Sequence, residues 1–261
     1  MKQLKSTYQE LRELFENEIK IKHIAEDLKC CNYEDSSTII KNQMDSCDFD
    51  AMGIKNKGKI VGFIHRSELK TGLIKKYEKS FVDSDLIDET LPLISIFSAL
   101  LKSPRKFVTR NKEVVGIVTR GDLQKAPVRM WLFGIISLLE MHLLRIIRGY
   151  FDGYKWCSHL KDGRIKKAEK CHNDRQRRNE ELDLVDCLQL CDRIDLVLKI
   201  PVIKESIEEQ FGKSAKRHLK SMEGLRDKLF HAQDIVTGST WPKLIDLIRN
   251  IERLLEFFET Q

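Results

Sequence analysis

Between residues 48 and 69 the chain reads DFDAMGIKNKGKIVGFIHRSEL, two apolar runs around a polar turn, closing on a polar segment and Leu69. That order predicts a strand, a tight turn, a second strand and the start of a helix. Residues 105–123, RKFVTRNKEVVGIVTRGDL, run through the same order, and setting Gly62 on Gly116 matches GFIHRSEL to GIVTRGDL position for position. Upstream of each copy lies a helix candidate, SSTIIKNQMDS at 36–46 and PLISIFSALLK at 92–102. Chance rarely reproduces a whole phrase of this kind, so residues 23–126 read as an internal repeat, preceded by a leading helix at 1–22.

From Pro127 the strand-like runs stop, and the period of the apolar positions becomes helical. Proline suits a first helical turn, where its missing N–H costs nothing. One long apolar helix is expected over 128–151. A second over 180–199 carries Leu182, Val185, Cys187 or Leu188, Cys191, Ile194 and Val197 or Leu198, and Pro201 ends it. A third over 203–234 carries Phe211, Leu219, Met222, Leu225 and Leu229, and after the breaker TGSTWP a fourth follows over 243–258. The expected architecture is α+β: a β-α-β-β-α repeat over 23–126, then an all-α, up-and-down four-helix bundle over 127–261.

Composition refines this picture. Of 261 residues, 41% are hydrophobic and 33% charged, with 13 Gly and 5 Pro, as in a helix-leaning globular chain with little linker. The net charge of +6 permits an anionic partner, yet it is spread evenly. Residues 1–125 hold 22 basic against 19 acidic side chains and residues 126–261 hold 24 against 21, so no basic tail stands out. The one concentration is KDGRIKKAEKCHNDRQRRNEE at 161–181, with eight Lys or Arg within 161–178; it reads as a solvated, partly helical connection or as a track for phosphates. The stretch MWLFGIISLLEMHLLRIIRGYF (130–151) has the length of a membrane span, but Glu140, His142, Arg145 and Arg148 interrupt it, so a buried bundle helix and no membrane are expected. Seven scattered cysteines and no leader pattern point to reduced thiols in a cytoplasm. Cys157, His159, Cys171 and His172 are too loosely spaced, as are Cys187 and Cys191, for a zinc site, and no metal is expected.

The repeat resembles a tandem pair of CBS domains, and GIVTRGDL is similar to that family's signature. The resemblance implies two units packed sheet to sheet around a cleft for an adenine nucleotide: AMP, ADP, ATP or a cyclic oligoadenylate. It implies that Thr119 and Asp122 line that cleft, with Asp122 accepting hydrogen bonds from the ribose hydroxyls. A carboxylate has the acceptors for both hydroxyls of a cis-diol, and Arg120 beside it suits a phosphate. The first copy carries His65 for the threonine and Glu68 for the aspartate, which leaves its own cleft open to question, and a platform for dimerisation is the alternative.

Within GLRDKLFHAQD (224–234), Arg226 and His231 stand five positions apart. On a helix that separates them by about 140° in azimuth, so one copy does not converge on one atom, whereas two copies about a two-fold axis do. An arginine, a polar residue (here Asp227) and a histidine late in the third helix of a four-helix bundle resemble the HEPN family. That resemblance implies a homodimeric, metal-independent endoribonuclease with a composite Arg226/His231 site. It also implies roles in phage defence or as a toxin with a nucleotidyltransferase antitoxin. The chemistry suits the residues: RNA carries its own 2′-hydroxyl nucleophile, histidine moves protons near neutral pH, and arginine stabilises charge on phosphorus. Glu140, on the apolar helix, is a candidate partner for this site or for a neighbouring helix. The expected function is therefore RNA cleavage regulated by an adenine nucleotide; the alternative is a non-catalytic, CBS-regulated dimer that binds RNA or protein.

Overall fold

The computed structural model describes residues 7–212 and 215–259. The chain divides into two compact units: Glu13–Val128, and Arg129–Gln261 together with the amino-terminal residues through Arg12. The division therefore falls two residues after 126, and the expected leading helix is shorter, α1 at Tyr8–Asn17, with a 3-10 turn at Ile21–His23. Its first residues belong with the helical unit because buried Tyr8 packs 6.1 Å from Trp131 and Arg12 meets Glu256 at 3.6 Å.

In the first unit the strands are β1 (Glu26–Asp27), β2 (Cys30–Asn32), β3 (Ala51–Asn56), β4 (Lys59–His65), β5 (Leu86–Asp88), β6 (Arg105–Arg110) and β7 (Glu113–Thr119), with helices α2 (Ser37–Ser46) and α3 (Ile96–Lys102). They form two sheets, β2-β3-β4 and β1-β7-β6-β5. The repeat is reproduced to the residue. Ala51 pairs with His65 as Arg105 pairs with Thr119, and the register shifts after Ile54 as it does after Val108. Both hairpins turn through two residues with positive φ, Lys57–Gly58 and Asn111–Lys112, the twist that matches paired strands. In each copy a parallel pair, β2 on β3 or β5 on β6, is bridged by the crossover helix α2 or α3.

The copies are also interlaced. Glu26, which leads into the first copy, pairs with Ile117 in the last strand of the second. Lys79, which leads into the second copy, pairs with Phe63 in the last strand of the first, exchanging both backbone hydrogen bonds at 3.0 and 2.8 Å. Between the sheets Phe63, Phe81 and Phe107 pack together with ring centroids 4.7 to 5.4 Å apart, beside Leu28, Ala51 and Val114. A second cluster, with Met44, Met52, Ile54 and Ile64, fills the space under α2.

One expected element is absent from the described residues. The helix that should close the first copy after Leu69 is replaced by 3-10 turns at Arg66–Glu68 and Ile74–Tyr77. Gly72 has φ +147°, and its carbonyl accepts from both the amide and the hydroxyl of Ser37 at 2.9 Å. The segment is thereby tied to the start of α2 and turned out of helical geometry.

The helical unit holds α4 (Ala126–Tyr150, whose first three residues belong to the strand unit), α5 (Asp162–Gln176), α6 (Leu190–Val197), α7 (Pro201–Phe211), α8 (Ala215–Phe230) and α9 (Trp241–Glu259). Among the described residues six helices thus stand where four long ones were expected. The 180–199 prediction shrinks to a 3-10 turn at Leu184–Cys187 and α6. Asp186 and Asp192 reach back to the amides of Asp183 and Gln189 at 2.9 and 3.3 Å and restart the chain at each point. Pro201 opens α7, and Gly212, at φ +69°, separates α7 from α8. α4 is long and apolar enough to cross a membrane by length and composition, and half of that window is buried within the protein.

A β-carbon on Gly62 would stand 2.7 Å from the Lys79 carbonyl oxygen, and one on Gly116 would stand 2.6 Å from that of Glu26. The two glycines therefore admit the two crossing backbones. Gly62→Ala and Gly116→Ala should each destabilise the strand unit by about 1–3 kcal/mol in urea unfolding. Gly163→Ala, where the added methyl meets nothing within 4 Å, should be neutral or slightly stabilising. Equal midpoints for all three would show that the close approaches exert no constraint.

Candidate functional site

The strand unit contains a cleft of about 700 Å³, whose walls include Lys29, Asp48, Arg105, Thr119, Asp122 and Lys125. At the turn after β7, Asp122 is buried and its Oδ2 accepts from the Thr119 amide at 2.7 Å and the Thr119 hydroxyl at 2.9 Å. This is a cap in which a side chain three residues on returns to the first amide of the turn. Its other oxygen meets Lys125 Nζ at 2.7 Å, and that ammonium also reaches Glu26 at 2.9 Å and the Ile24 carbonyl at 2.6 Å. Burial disfavours the Lys125 charge, but the two carboxylates outweigh it and raise its pKa. Thr119 and Asp122 thus come together as a fixed pair on the cleft wall. Arg120 lines the same cleft, but its guanidinium donates to the carbonyls of Leu100 and Leu101 at 3.0 and 3.3 Å, the open end of α3.

The corresponding turn of the first copy holds different chemistry. Glu68, one methylene longer than Asp122, pairs with Lys79. Arg66, the counterpart of Arg120, binds Asp50 at 2.8 Å and Asp48 at 3.1 Å, near the end of α2. His65 stands where Thr119 does and accepts from Arg105 at 2.7 Å. Burial, and then Arg105, lower the His65 pKa, which fits a neutral imidazole accepting from a guanidinium. Arg105, Lys29 and Lys125 are cleft cations that sequence reading missed. Arg105 opens a strand, and only the sheet pairing brings it opposite Thr119.

In the helical unit, Arg226 lies on α8 with its side chain 35% exposed, and its Nη1 meets Glu140 Oε1 at 3.4 Å. The other oxygen of Glu140 meets Arg193 of α6 at 3.5 Å, and Arg193 also donates to the Asp186 carbonyl at 3.0 Å. Burial lowers the Arg193 pKa, and Glu140 and then Asp186 are the carboxylates that oppose that shift. Arg226 Nε faces exposed Asp227 at 3.6 Å.

His231 is exposed and forms the C-cap of α8. The amides of Ala232 and Gln233 return to the carbonyls of Leu229 and Lys228, with Ala232 at φ +53°, a Schellman closure with alanine in the left-handed position. Arg129 donates to the Lys228, Leu229 and Gln233 carbonyls at 2.9 to 3.3 Å and clamps that end. Arg226 and Glu140 are therefore in contact, while His231 stands on the final turn, on another side of the helix. Arg193 carried no signal in the sequence, because only packing brings α6 against α4 and α8. Among the described residues no three His, Cys, Asp or Glu side chains are grouped to hold a metal. Cys187 hydrogen-bonds Cys171, and burial pushes its pKa up to about 11.

No protein-family model matches the chain, and no curated protein matches it. Solved structures similar to it are CBS-domain proteins, each matching part of the chain. A conserved CBS domain protein of unknown function from Thermoplasma acidophilum is 17% identical, over 40% of this chain and 67% of its own, with a TM-score of 0.34. CbpB in complex with c-di-AMP is 16% identical, over 49% of this chain and 96% of its own, with a TM-score of 0.40. A protein of Methanocaldococcus jannaschii described as an archaeal homologue of γ-AMPK is 17% identical, over 43% of this chain and 49% of its own, with a TM-score of 0.36.

Proposed function

We propose that this protein is a metal-independent endoribonuclease regulated by an adenine nucleotide, as expected of a CBS pair joined to a HEPN-type helical unit. The observation that carries the reading is the Thr119–Asp122–Lys125 constellation on the wall of a cleft large enough for a nucleotide. A ribose diol takes the place of the Lys125 ammonium on Asp122, and the freed ammonium, with Lys29 and Arg105, faces the phosphates.

In the helical unit the chemistry needs no external nucleophile. A base removes the proton of the RNA 2′-hydroxyl, and that oxygen attacks phosphorus. An acid returns a proton to the departing 5′-oxygen, leaving a 2′,3′-cyclic phosphate and a 5′-hydroxyl. His231 serves as base and acid, and Arg226, oriented by Glu140 and Asp227, holds the charge of the pentacoordinate phosphorus. Because Arg226 and His231 occupy different sides of one helix, a homodimer supplies the converging pair. Met130, Phe133 and Met141, exposed at 64%, 49% and 55% along α4, form the apolar face that a second copy covers in this reading. Phage defence and pairing with an antitoxin nucleotidyltransferase are the settings it suits.

The second reading, a non-catalytic dimer that binds RNA or protein, is favoured by one observation. Arg226, Glu140 and Arg193 join three helices, a role sufficient in itself.

Calorimetry with AMP, ADP, ATP and cyclic oligoadenylates should find one that binds, and Asp122→Ala should weaken it at least about tenfold, the effect of losing one charged hydrogen bond or more. If none binds the parent protein, the sensor role is lost. The catalytic role is tested separately. His231→Ala should lower RNA cleavage by about 10²–10⁴ with the fold and dimer intact. Arg226→Lys should be strongly impaired, since an ammonium lacks the forked donors. Cleavage should persist in EDTA and fail on RNA with a 2′-deoxy sugar at the scissile position. Parent-rate cleavage by His231→Ala would assign the activity elsewhere, and an inactive parent would leave the second reading.

A further inference from the structure

The basic stretch at 161–181 is not absorbed by either candidate site. Within it α5 is an ordered helix with two unlike faces. Inward, Ala168 is buried and Arg164, Ile165, Cys171, His172 and Arg175 are half-buried. The polar groups among them are tied: Arg164 binds Asp192 of α6, His172 Nε2 meets the Leu182 carbonyl at 2.8 Å, and Arg175 meets Glu180 at 3.3 Å. Outward stand Lys166, Lys170, Asn173 and the C-cap residue Arg177, all exposed, with Lys167 beside them. Their spacing of four, three and four residues keeps them within about 60° of one line, a row about 16 Å long.

Several exposed cations elsewhere in the unit are held in ion pairs, whereas the lysines of this row lie together and, among the described residues, unpaired. Lys155 meets Asp152 at 2.7 Å, Lys216 meets Asp195 at 3.1 Å, and Arg148 meets Asp186 at 2.7 Å. Lys166, Lys167 and Lys170 form no salt bridge among the described residues. Arg177 has only exposed Asp174, at 3.3 Å, a contact that solvent screens. Asp162 and Glu169 fall to one edge of the row. Gly163, on the same line, leaves open space where a side chain would stand.

We propose that the outward face of α5, through Lys166, Lys170, Asn173 and Arg177, is a binding track for the phosphodiester backbone of single-stranded RNA. Unpaired ammonium groups on flexible stems, a forked guanidinium and a neutral amide in one line recognise successive phosphates without reading bases. A protein ligand of equal charge would need apolar contacts at its centre, and this face supplies none. α6 links the track to the candidate nuclease site, since Asp192 holds Arg164 of α5 while its neighbour Arg193 holds Glu140. The inference rests on the reading of RNA as the substrate, but not on cleavage.

The test is fluorescence anisotropy with a 2′-O-methylated single-stranded RNA, which binds and is not cut. Full-length Lys166→Gln/Lys170→Gln/Arg177→Gln protein should bind at least about tenfold more weakly near 0.1 M salt. Its plot of log affinity against log salt should be shallower by about 2, as expected for three lost phosphate contacts. Lys166→Arg/Lys170→Arg should bind as the parent does, and so should Lys57→Gln/Lys112→Gln in the hairpin turns. A triple variant with the parent's affinity and salt slope overturns the track. So does a parent that ignores RNA while binding an acidic peptide or vesicles of anionic lipid. If the parent binds through α5 yet leaves unmodified RNA intact, the track stands and the ribonuclease reading falls. If it cuts RNA while the triple variant binds normally, the reverse holds.

Discussion

Backbone crossing at Gly62 and Gly116 sets the form of the strand unit. The chain entering each copy must pair with the final strand of the other, and each crossing brings a carbonyl oxygen to within 2.7 Å of where a side chain would begin. Only glycine fits there. With both crossings made, the two sheets are held with Phe63, Phe81 and Phe107 between them, and the cleft wall from Glu26 to Lys29 lies beside the turn at Thr119–Lys125. The cleft geometry thus depends on backbone crossings rather than on the side chains that line it.

On this shared frame the copies have diverged in chemistry. Asp122 is short enough to fold back on Thr119 and leave an oxygen at the cleft; Glu68 reaches outward to Lys79. Arg120 and Arg66 do related work near the ends of α3 and α2, one through carbonyls and one through aspartates. Half-buried His65, its pKa lowered by burial and by Arg105, gives the second copy's Arg105 an acceptor. The frame keeps two turns equivalent, and side-chain length decides which one faces the cleft as a polar pair.

The helical unit handles its polar groups differently. α4 is apolar enough that each charge on it needs a partner. Glu140 joins Arg226 and Arg193, buried His142 accepts from Arg145 at 2.6 Å, and Arg148 meets Asp186. Of these arginines only Arg193 is largely buried, at 12% exposed, so losing Glu140 would leave it a poorly solvated charge, whereas Arg148 is exposed and its pair screened. The Arg226 site is therefore built into the packing of three helices, whereas His231 depends on the closure of α8 by Arg129.

The repeat was legible in the sequence because glycine, hairpin turn and apolar run are local requirements, and matching Gly62 to Gly116 set the two copies residue for residue against each other, as their hairpin registers are. The helical character of 127–261 was equally legible from its period, since burial of one face imposes that period. Where helices stop was not. Asp186, Asp192 and Gly212 break the chain only because competing caps and a left-handed turn win against continuation, a balance of small energies that apolar spacing does not report. Thr119 and Asp122 were expected in a cleft from the resemblance of GIVTRGDL to the CBS signature, while Lys125, Arg105 and Arg193 were missed. Arg105 and Arg193 acquire their roles from residues distant in sequence, His65 and Glu140, and Lys125 from distant Glu26 as well as nearby Asp122. Sequence alone determined the local phrases and their repetition. Tertiary structure decided which charges meet, because an ion pair is fixed by the packing of separate elements and leaves no periodic trace along the chain.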